Sequence, residues 1–328
     1  MSRIPADTIR QKGVAVASTV KPLKPGKVRT YPLASRPSKV SPADFARPPR
    51  RGERVSGLIA GLPGLLSAKD LKELLELLHR ARTREKTILW AMGAHVIKAG
   101  LSPVVIDLMK DGWISGLALN GAGIIHDFEL AFAGRTSEDV AAQIQEGRFG
   151  MAEETGTMLN RAIREGAEAG LGLGESVGRM IARSRFPYKK LSLLGTAFRL
   201  GLPVTVHVAV GTDIIHMHPE ASGEAIGACS LRDFYLFCGL VEGLDGGGVY
   251  LNVGSAVILP EVFLKAVSLL RNRGRRLDGF STAVFDFIKH YRPAENVVRR
   301  PLGKKGKGFY FVGPHEILIP LLASALKG

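Results

Sequence analysis

The stretch LALNGAGIIHDFE, residues 117–129, decides the fold, because an apolar strand there runs into a turn of small residues and then into a helix. Gly121, Ala122 and Gly123 carry almost no side chain, so a ligand phosphate can approach their backbone N–H groups where the helix starts. The dinucleotide-binding fingerprint is incomplete, since His126 stands at its third glycine position. The pattern predicts either a phosphate-binding turn or a tight strand-to-helix turn without a ligand.

Apolar strands alternate with amphipathic helices along the rest of the chain. Ser67–Arg82 places five leucines along one helical face, and Ser67 suits the N-cap position. Continued alternation predicts a mostly parallel, doubly wound sheet, that is, a Rossmann-like α/β fold. The predicted strands are Thr87–Met92, Ile114–Leu119, Pro203–Val208, Val249–Val253 and Phe280–Phe285. The further predicted helices are Ser102–Asp111, Gln143–Glu146, Glu153–Ala169, Leu231–Leu240, Glu261–Arg271 and Glu316–Leu326.

Positive charge is concentrated near the amino terminus. The 328 residues carry a net charge of +15, and residues 1–56 hold 13 Lys and Arg against 3 Asp and Glu, together with 8 of the 18 prolines. Such a segment has too few large apolar side chains to offset the entropy of ordering it. We expect an extended arm over residues 1–56 and a single α/β domain over residues 57–328. A basic arm can bind nucleic acid through counterion release, but no aromatic-interleaved basic motif supports that function, so nucleic acid is not an expected partner.

Composition argues against a secreted or membrane protein. Cys229 and Cys238 are the two cysteines, and their apolar surroundings suit buried thiols rather than a disulfide scaffold. No stretch approaches the roughly 18 apolar residues that a membrane span needs. The apolar run Gly13–Val20 is short and interrupted by Ser18 and Thr19, unlike the core of a signal peptide. We expect a reduced, cytoplasmic location without membrane contact.

Polar residues gather in the loops that follow the predicted strands. In a doubly wound sheet, ligands bind at the carboxyl ends of the strands, so these loops should hold the site. The third strand is followed by Asp213, His216 and His218. The fourth is followed by Gly254 and Ser255, and the fifth by Asp286, His290, Arg292 and Glu295. We expect the ligand to bind where these loops converge.

Three interpretations fit the group His207, Asp213, His216 and His218. The spacing of His216 and His218 puts both rings on one face of a strand, where they could bind a metal with Asp213 and activate a water, as in a hydrolase. Alternatively, Asp213 and Glu295 could hold a cationic amine through charge-assisted hydrogen bonds. In the third interpretation the histidines only cap helices or fill polar gaps.

From about residue 57 onward the chain resembles the deoxyhypusine synthase family. The segment WAMGAHVIKAGLSP is similar to the family's first cofactor loop and helix, and NGAGIIHDFE matches its glycine turn at Gly121, Gly123 and Asp127. VGTD, which ends at Asp213, is similar to the loop whose aspartate contacts polyamine. STAVFDF resembles the family's NTA loop, and RPAEN, with Glu295, its RPDEA segment. These motifs occur in the same order as in the family.

The resemblance implies a protein that binds NAD and an amine or polyamine-like small molecule, as a homotetramer with active sites between subunits. Substrate contacts are expected at Asp213, Asp286 and Glu295, and Arg299 with Arg300 could clamp a carboxylate or phosphate of the substrate. Cofactor contacts are expected at Asn120, Gly121, Ala122, Gly123, Gly211, Thr212, Gly254, Ser255, Thr282 and Ala283.

Departures from the family change the expected chemistry. Arg299 and Pro301 stand where the family has a tryptophan and the lysine that forms a covalent imine, and Pro260 replaces its active-site histidine. Arginine cannot replace that lysine, because its guanidinium stays protonated. We expect not deoxyhypusine synthesis but an NAD-dependent transferase or oxidoreductase acting on an amine, with His216 or His218 moving the proton. The alternatives are the metal-dependent hydrolase and a non-catalytic assembly protein on the same fold.

Overall fold

The computed structural model describes residues 20–328, and its contacts divide the chain into two compact units after residue 41. In the first unit, residues 20–41 contain a 3₁₀ turn at Leu33–Ser35 that buries none of its side chains. The part of the predicted arm before residue 20 lies outside the described residues. In the second unit the backbone N–H of Arg47 donates to Gly61, and that of Gly64 donates to Asp44. Residues 44–47 therefore pack against the first helix, Val55–Gly61, which crosses the boundary predicted at residue 56.

Six strands of the described chain form one parallel sheet in the order β3-β2-β1-β4-β5-β6. This order is that of the dinucleotide-binding folds, and it confirms the doubly wound fold predicted from the alternation of elements. The strands are β1 Ile88–Met92, β2 Gly116–Asn120, β3 Val204–His207, β4 Val249–Val253, β5 Ser281–Asp286 and β6 Gly308–Val312.

The sequence pattern does not predict β6. The strand follows a run of lysines and glycines that is typical of a solvated loop, and only Phe309 and Phe311 among its residues are buried. β6 is an edge strand, paired with β5, and the ring of Phe311 stacks on Phe285 with centroids 4.8 Å apart. Contact with the neighbouring strand, rather than alternation within its own sequence, therefore defines this element.

Helices cover both faces of the sheet, and no helix among the described residues is long and apolar enough to cross a membrane. Five of them have no counterpart in the predicted elements, namely α1 Val55–Gly61, α3 His95–Lys98, α8 Leu173–Arg183, α9 Leu193–Leu200 and α12 Tyr291–Pro293. The sequence pattern does not predict α8 because the segment contains glycines, which have low helix propensity. Gly174 nevertheless lets α8 approach β3 so closely that a Cβ there would overlap the carbonyl oxygen of Val204. The helices are α1 Val55–Gly61, α2 Leu66–Thr83, α3 His95–Lys98, α4 Ser102–Lys110, α5 Gly121–Ala133, α6 Val140–Ile144, α7 Glu153–Glu168, α8 Leu173–Arg183, α9 Leu193–Leu200, α10 Gly223–Glu242, α11 Ile258–Asn272, α12 Tyr291–Pro293 and α13 His315–Lys327, with a π-helical turn at Ala294–Arg299.

Two hydrophobic layers enclose the sheet. Side chains alternate between its faces, so that Trp90 of β1 belongs to one layer and Leu89 and Ala91 to the other. In the second layer Tyr250 of β4 stacks on Phe263 of α11, with ring centroids 3.8 Å apart. All five residues of β1 are buried, as expected for a parallel strand covered on both faces.

Glycines extend the hydrogen bonding of the sheet one residue beyond three strands. The N–H of Gly93 donates to the last residue of β4, that of Gly254 to Phe285, and that of Gly313 to Asp286, each over 2.9 Å. The ends of β1 and β4 touch, because a Cβ on Gly93 would overlap the carbonyl oxygen of Gly254. The loops after these strands therefore start from one tightly packed edge.

A buried carboxylate joins α5 to α9. Asp127 is fully buried and accepts hydrogen bonds from the Ser192 hydroxyl at 2.5 Å and from the backbone N–H groups of Leu193 at 2.6 Å and Leu194 at 3.2 Å. These bonds satisfy the first amides of α9, which have no partner within the helix. Burial raises the pKa of Asp127 to about 6, against the opposing effect of its donors.

Replacing Asp127 by Asn should lower the free energy of unfolding by about 1–3 kcal/mol at pH 7, because the amide NH₂ leaves a buried donor without an acceptor. Urea unfolding of both proteins measures the difference. The control is Asp107→Asn, since Asp107 is exposed and its ion pair with Lys327 lies at the surface, where such pairs contribute little. Equal stabilities of Asp127→Asn and the control would contradict the role of Asp127.

Candidate functional site

The carboxyl edge of the sheet carries two groups of polar side chains. The crossovers change direction between β1 and β4, the position at which doubly wound sheets bind ligands. One group, called here the carboxylate cavity, lies beside the ends of β2 and β3. The other, called the switch-point cluster, consists of His95, Asp286, His290 and His315. Helix α3 joins the two, since His95 belongs to the cluster and Lys98 lines the cavity.

The carboxylate cavity has a volume of about 230 Å³. It lies between α3, α5, the loop after α5 and the loop after β3, with Ile125, Val140, Phe149 and Ile214 as its large apolar walls. This size suits a small molecule rather than a peptide. Its polar lining consists of Lys98, His126, Glu129, Ser137, Glu138, Thr212 and Asp213.

Asp213 is the most unusual residue of the cavity. Its side chain is only 8% exposed, and its Oδ2 atom has no hydrogen-bond partner. Burial raises the pKa of Asp213 to about 6. No donor replaces the hydrogen bonds to water that this carboxylate loses on burial, so its ionised form is unfavourable. A bound cation or hydrogen-bond donor would stabilise the ionised form.

The carboxylate of Asp213 fills the space above the glycine turn that was predicted to bind a phosphate. A Cβ on Gly121 would overlap this carboxylate, and the Asn120 side chain caps α5 by accepting from the N–H of Gly123 at 3.1 Å. Gly123 is itself buried against Leu119, and of the four predicted cofactor residues here only Ala122 lines the cavity. The turn of this structure therefore holds a carboxylate of the chain itself, and a phosphate would be repelled.

A chain of hydrogen bonds orients His126, which the predictions did not name as a site residue. The Nδ1 atom of His126 lies 2.6 Å from the hydroxyl of Thr136, and that hydroxyl donates its only proton to Glu129. His126 must therefore carry its proton on Nδ1, which leaves Nε2 with a lone pair. Burial, and then the charge of Lys98, lower the pKa of His126 to about 4, although Glu129 lies 3.9 Å away. The spacing of His126 and Glu129, three residues apart on a helix, was the available signal in the sequence.

The two acidic neighbours of His126 differ in the acceptors that they leave free. Glu129 accepts from Thr136 at one oxygen and from Thr155 at 3.2 Å at the other. Burial raises the pKa of Glu129. Glu138 uses one oxygen to accept from the backbone N–H of Gly150 at 3.0 Å. The free acceptors of the cavity therefore lie on Asp213 and Glu138.

The histidines predicted to act with Asp213 are used in packing. His218 places its Nε2 2.9 Å from the carbonyl oxygen of Gly150, and its ring fills the space beside Gly156 of α7. His216 accepts from the N–H of Gly211 at 3.2 Å through Nδ1, and its Nε2 is buried without a partner. His207 is buried 3.0 Å from the Thr205 hydroxyl, and burial lowers its pKa to about 3.

The metal interpretation gains no support from this geometry. Within residues 20–328, no group of three or more His, Cys, Asp or Glu side chains is arranged to hold a metal ion. The ring of His218 is turned toward α7, away from the arrangement that the His-x-His spacing suggested, because the segment Ile214–Met217 is a 3₁₀ turn rather than a strand.

The switch-point cluster contains two buried acceptors without partners. Asp286 accepts from the N–H of Phe287 at 2.9 Å through Oδ1, while its Oδ2 has no partner and lies 3.9 Å from His290. His315 is fully buried, with Nε2 3.1 Å from the carbonyl oxygen of Phe285 and Nδ1 without a partner. The ring of His95 lies 5.3 Å from that of His315. Burial raises the pKa of Asp286, and the hydrogen bond from Phe287 and the nearby histidines oppose this shift.

The remaining predicted cofactor residues are divided between the edge and the core. Gly254, with φ +64°, lies under the ring of His315, and Ser255 accepts from the N–H of Leu259 at the start of α11. Gly211 and Thr212 are exposed in the loop after β3. Thr282 and Ala283, in contrast, lie inside β5 with no exposed surface, and the Thr282 hydroxyl donates to Val297. A cofactor could reach these two only if the sheet opened.

Glu295 and Arg299, both predicted to bind substrate, bind each other. They are four residues apart in the π-helical turn, and the guanidinium of Arg299 donates to Glu295 Oε2, with the Nε distance at 2.7 Å. Arg300 adds a contact at 3.6 Å. Neither Glu295 nor Arg299 lines the carboxylate cavity, so the structure separates Glu295 from Asp213.

Comparisons with known proteins identify the fold alone. No protein-family model matches the chain, and no curated protein matches it. Among solved structures, the ternary complex of AgrE with ornithine and NAD⁺ superimposes with a TM-score of 0.50 and 15% identity over 78% of this chain. The chain spans about a third of AgrE, covering 32% of that protein. A provisionally assigned deoxyhypusine synthase from Entamoeba histolytica has a TM-score of 0.46 and 10% identity, with 84% of this chain and 93% of that chain covered.

Proposed function

We propose that this protein is an NAD-dependent enzyme that acts on a small-molecule amine, whose ammonium group binds Asp213. The proposal depends on one observation, a buried carboxylate with no partner at Oδ2 in a cavity at the carboxyl edge of the sheet. An ammonium ligand would supply both the donors and the opposite charge that Asp213 lacks. Glu295 is already paired with arginine, so the amine is assigned to the carboxylate cavity.

NAD is proposed as the cofactor on two grounds. The strand order is that of dinucleotide-binding folds, and AgrE, which shares the fold, was solved with ornithine and NAD⁺. The switch-point cluster fits the sugar part of such a cofactor in its chemistry, because Asp286 Oδ2 and His315 Nδ1 are unpartnered acceptors and ribose hydroxyls are donors. Both atoms are buried, so the loops above them would have to open for a sugar to reach them. Asp286 then binds the cofactor rather than the substrate. When bound, NAD⁺ accepts a hydride.

The residues of the cavity suit the proton transfer that amine oxidation needs. An ammonium must lose one proton before its carbon can lose a hydride, and the product of these two losses is an iminium ion. Asp213, with a pKa of about 6, is suited to accept this proton from the substrate nitrogen near neutral pH. His126 stays neutral, so its Nε2 can accept a hydrogen bond from the same nitrogen and orient it. These roles replace the ones predicted for His216 and His218.

Transfer through a covalent imine on lysine is not supported within this chain. Pro301, at the family's lysine position, is buried, and its carbonyl oxygen accepts a hydrogen bond from Arg271 at 2.7 Å. Lys304, Lys305 and Lys307 precede β6, so they lie at the amino end of the sheet, opposite the proposed site. Amine oxidation without a protein-bound intermediate is therefore preferred over a transferase reaction of the deoxyhypusine synthase type.

A homo-oligomer, with a tetramer implied by the family resemblance, belongs to the same proposal. Its support is a set of exposed apolar side chains at the carboxyl edge, since Phe287 is 55%, Ile288 49% and Ile317 61% exposed. Light scattering coupled to size-exclusion chromatography should give a mass of four chains. Replacing Phe287 and Ile288 by Ser should shift that mass downward if this edge lies at the interface, and a monomeric wild-type protein would refute the assembly.

The cofactor prediction is tested by calorimetry. The wild-type protein should bind NAD⁺ saturably, and Asp286→Asn should bind it at least ~10-fold more weakly, because an NH₂ group replaces the free acceptor. Asp107→Asn, which alters neither site, is the control. Absence of NAD⁺ binding by the wild-type protein would favour the non-catalytic assembly function.

The amine prediction uses two independent variants. Asp213→Asn removes the charge, and Gly121→Ala adds a methyl group that overlaps the carboxylate of Asp213, so each should weaken amine binding ~10- to 100-fold. Gly227→Ala in α10 is the control, because nothing lies within 4 Å of the added Cβ. Wild-type affinity should also fall as the pH is lowered through about 6, where Asp213 becomes protonated. Unchanged affinity in both variants would remove Asp213 from the site.

Nitrogen-15 NMR of the imidazoles tests the orientation of His126. The ring should carry its proton on Nδ1 and should not titrate between pH 5.5 and 8, since its pKa lies at about 4. The spectrum of His126→Gln assigns the signal. A ring protonated at Nε2, or one that titrates near pH 6.5, would contradict the hydrogen-bond chain through Thr136.

A further inference from the structure

We infer that the substrate of the carboxylate cavity carries a carboxylate as well as an amine, and that Lys98 binds this carboxylate. The ligand class is an α-amino acid with a second amino group. This inference rests on the proposed function, since it assumes that an amine binds at Asp213. It adds the part of the substrate that the amine assignment leaves undefined.

The first step concerns the charges that line the cavity. Its acidic residues are Glu129, Glu138 and Asp213, and Lys98 is its single lysine or arginine. His126 adds no charge, because burial and the charge of Lys98 lower its pKa to about 4. The cavity therefore presents two signs of charge to one small ligand, with the negative sign in excess.

The second step concerns which of these charges are already satisfied. Both oxygens of Glu129 accept from threonine hydroxyls, at Thr136 and Thr155. Asp213, more than nine-tenths buried, has an unpartnered Oδ2, and Glu138 has one oxygen in use. Lys98 is exposed and lines the cavity, and its side-chain ammonium forms no ion pair or hydrogen bond with the described residues 20–328. Two acceptor sites and one ammonium donor are thus available to a ligand.

The third step matches these groups to a chemical class. A simple diamine would satisfy Asp213 and Glu138 but would meet the positive charge of Lys98, which is unfavourable. A dibasic amino acid places its ammonium groups on the two carboxylates and its carboxylate on Lys98. A lysine ammonium suits this task, because it is a compact charge on a flexible stem at the cavity wall.

The test compares two ligands that differ only by the carboxylate, L-lysine and its decarboxylated form 1,5-diaminopentane. Both are titrated by calorimetry into the full-length protein, with and without saturating NAD⁺. Wild-type protein should bind L-lysine at least ~10-fold more tightly than the diamine, a difference of about 1.4 kcal/mol. In Lys98→Met this ratio should fall to about one, because L-lysine loses affinity and the diamine loses a repulsive neighbour.

The control is Lys110→Met, which removes an exposed lysine at the end of α4 that does not line the cavity, and which should keep the wild-type ratio. Equal binding of the two ligands to wild-type protein, or a ratio that Lys98→Met leaves unchanged, would overturn the inference and leave the amine proposal standing. Binding of neither ligand under either condition would overturn the amine proposal, and the inference with it. Asp213→Asn distinguishes binding in the carboxylate cavity from binding elsewhere on the protein. It should weaken the binding of both ligands if they occupy the cavity and of neither if they do not.

Discussion

The site depends on the parallel direction of all six strands. Because every strand points the same way, every loop that follows a strand starts at one edge of the sheet. The contact between Gly93 and Gly254 closes that edge where β1 meets β4, with no side chain between the two backbones. Residues as far apart in sequence as His95 and His315 thereby become neighbours, with ring centroids 5.3 Å apart.

Three buried aspartates differ in how many hydrogen bonds they accept from the protein, and this difference distinguishes a structural carboxylate from one that could accept a bond from a ligand. Burial raises the pKa of each of them, Asp127, Asp213 and Asp286. Asp127 accepts three hydrogen bonds and holds α9 in position. Asp286 accepts one from a backbone N–H, and Asp213 has an oxygen with none. A buried acceptor without a donor lowers stability, and any group that donates a hydrogen bond to it reduces that cost.

Local sequence signals were sufficient to predict five of the six strands of the sheet, β1 to β5. β4 has the predicted bounds, and the other four predicted strands shift by one or two residues, because continuous apolar runs are typical of strands buried on both faces. The sequence signals did not predict elements whose structure depends on contacts with neighbouring strands. β6 is defined by pairing with β5, and α8 is a glycine-containing helix because Gly174 allows close contact with β3. Neither condition is visible in the segment itself.

The candidate site was only partly predictable for the same reason. The loops were expected to hold it, and Asp213 and Asp286 do lie there with free acceptors. His95 and His315 could not be paired from sequence, since α13 begins 220 residues after α3 starts and reaches the same edge only through β6. The predicted partnership of Asp213 with Glu295 stays a prediction, but in this structure the carboxylate of Glu295 accepts a hydrogen bond from Arg299, four residues further along the chain.

The sequence by itself determined the class of fold and the loops that carry chemistry, because alternation of apolar segments with turns is encoded locally. Only the tertiary structure decided which polar groups have no hydrogen-bond partner within the protein and are therefore available to a ligand. The turn of small residues, which the sequence predicted could bind a phosphate, is in contact with the carboxylate of Asp213, 92 positions after Gly121. A chain of hydrogen bonds through Thr136 orients His126 at the cavity. Hydrogen-bond satisfaction depends on which donors and acceptors the fold brings within about 3 Å, and that distance is set by packing rather than by position in the chain.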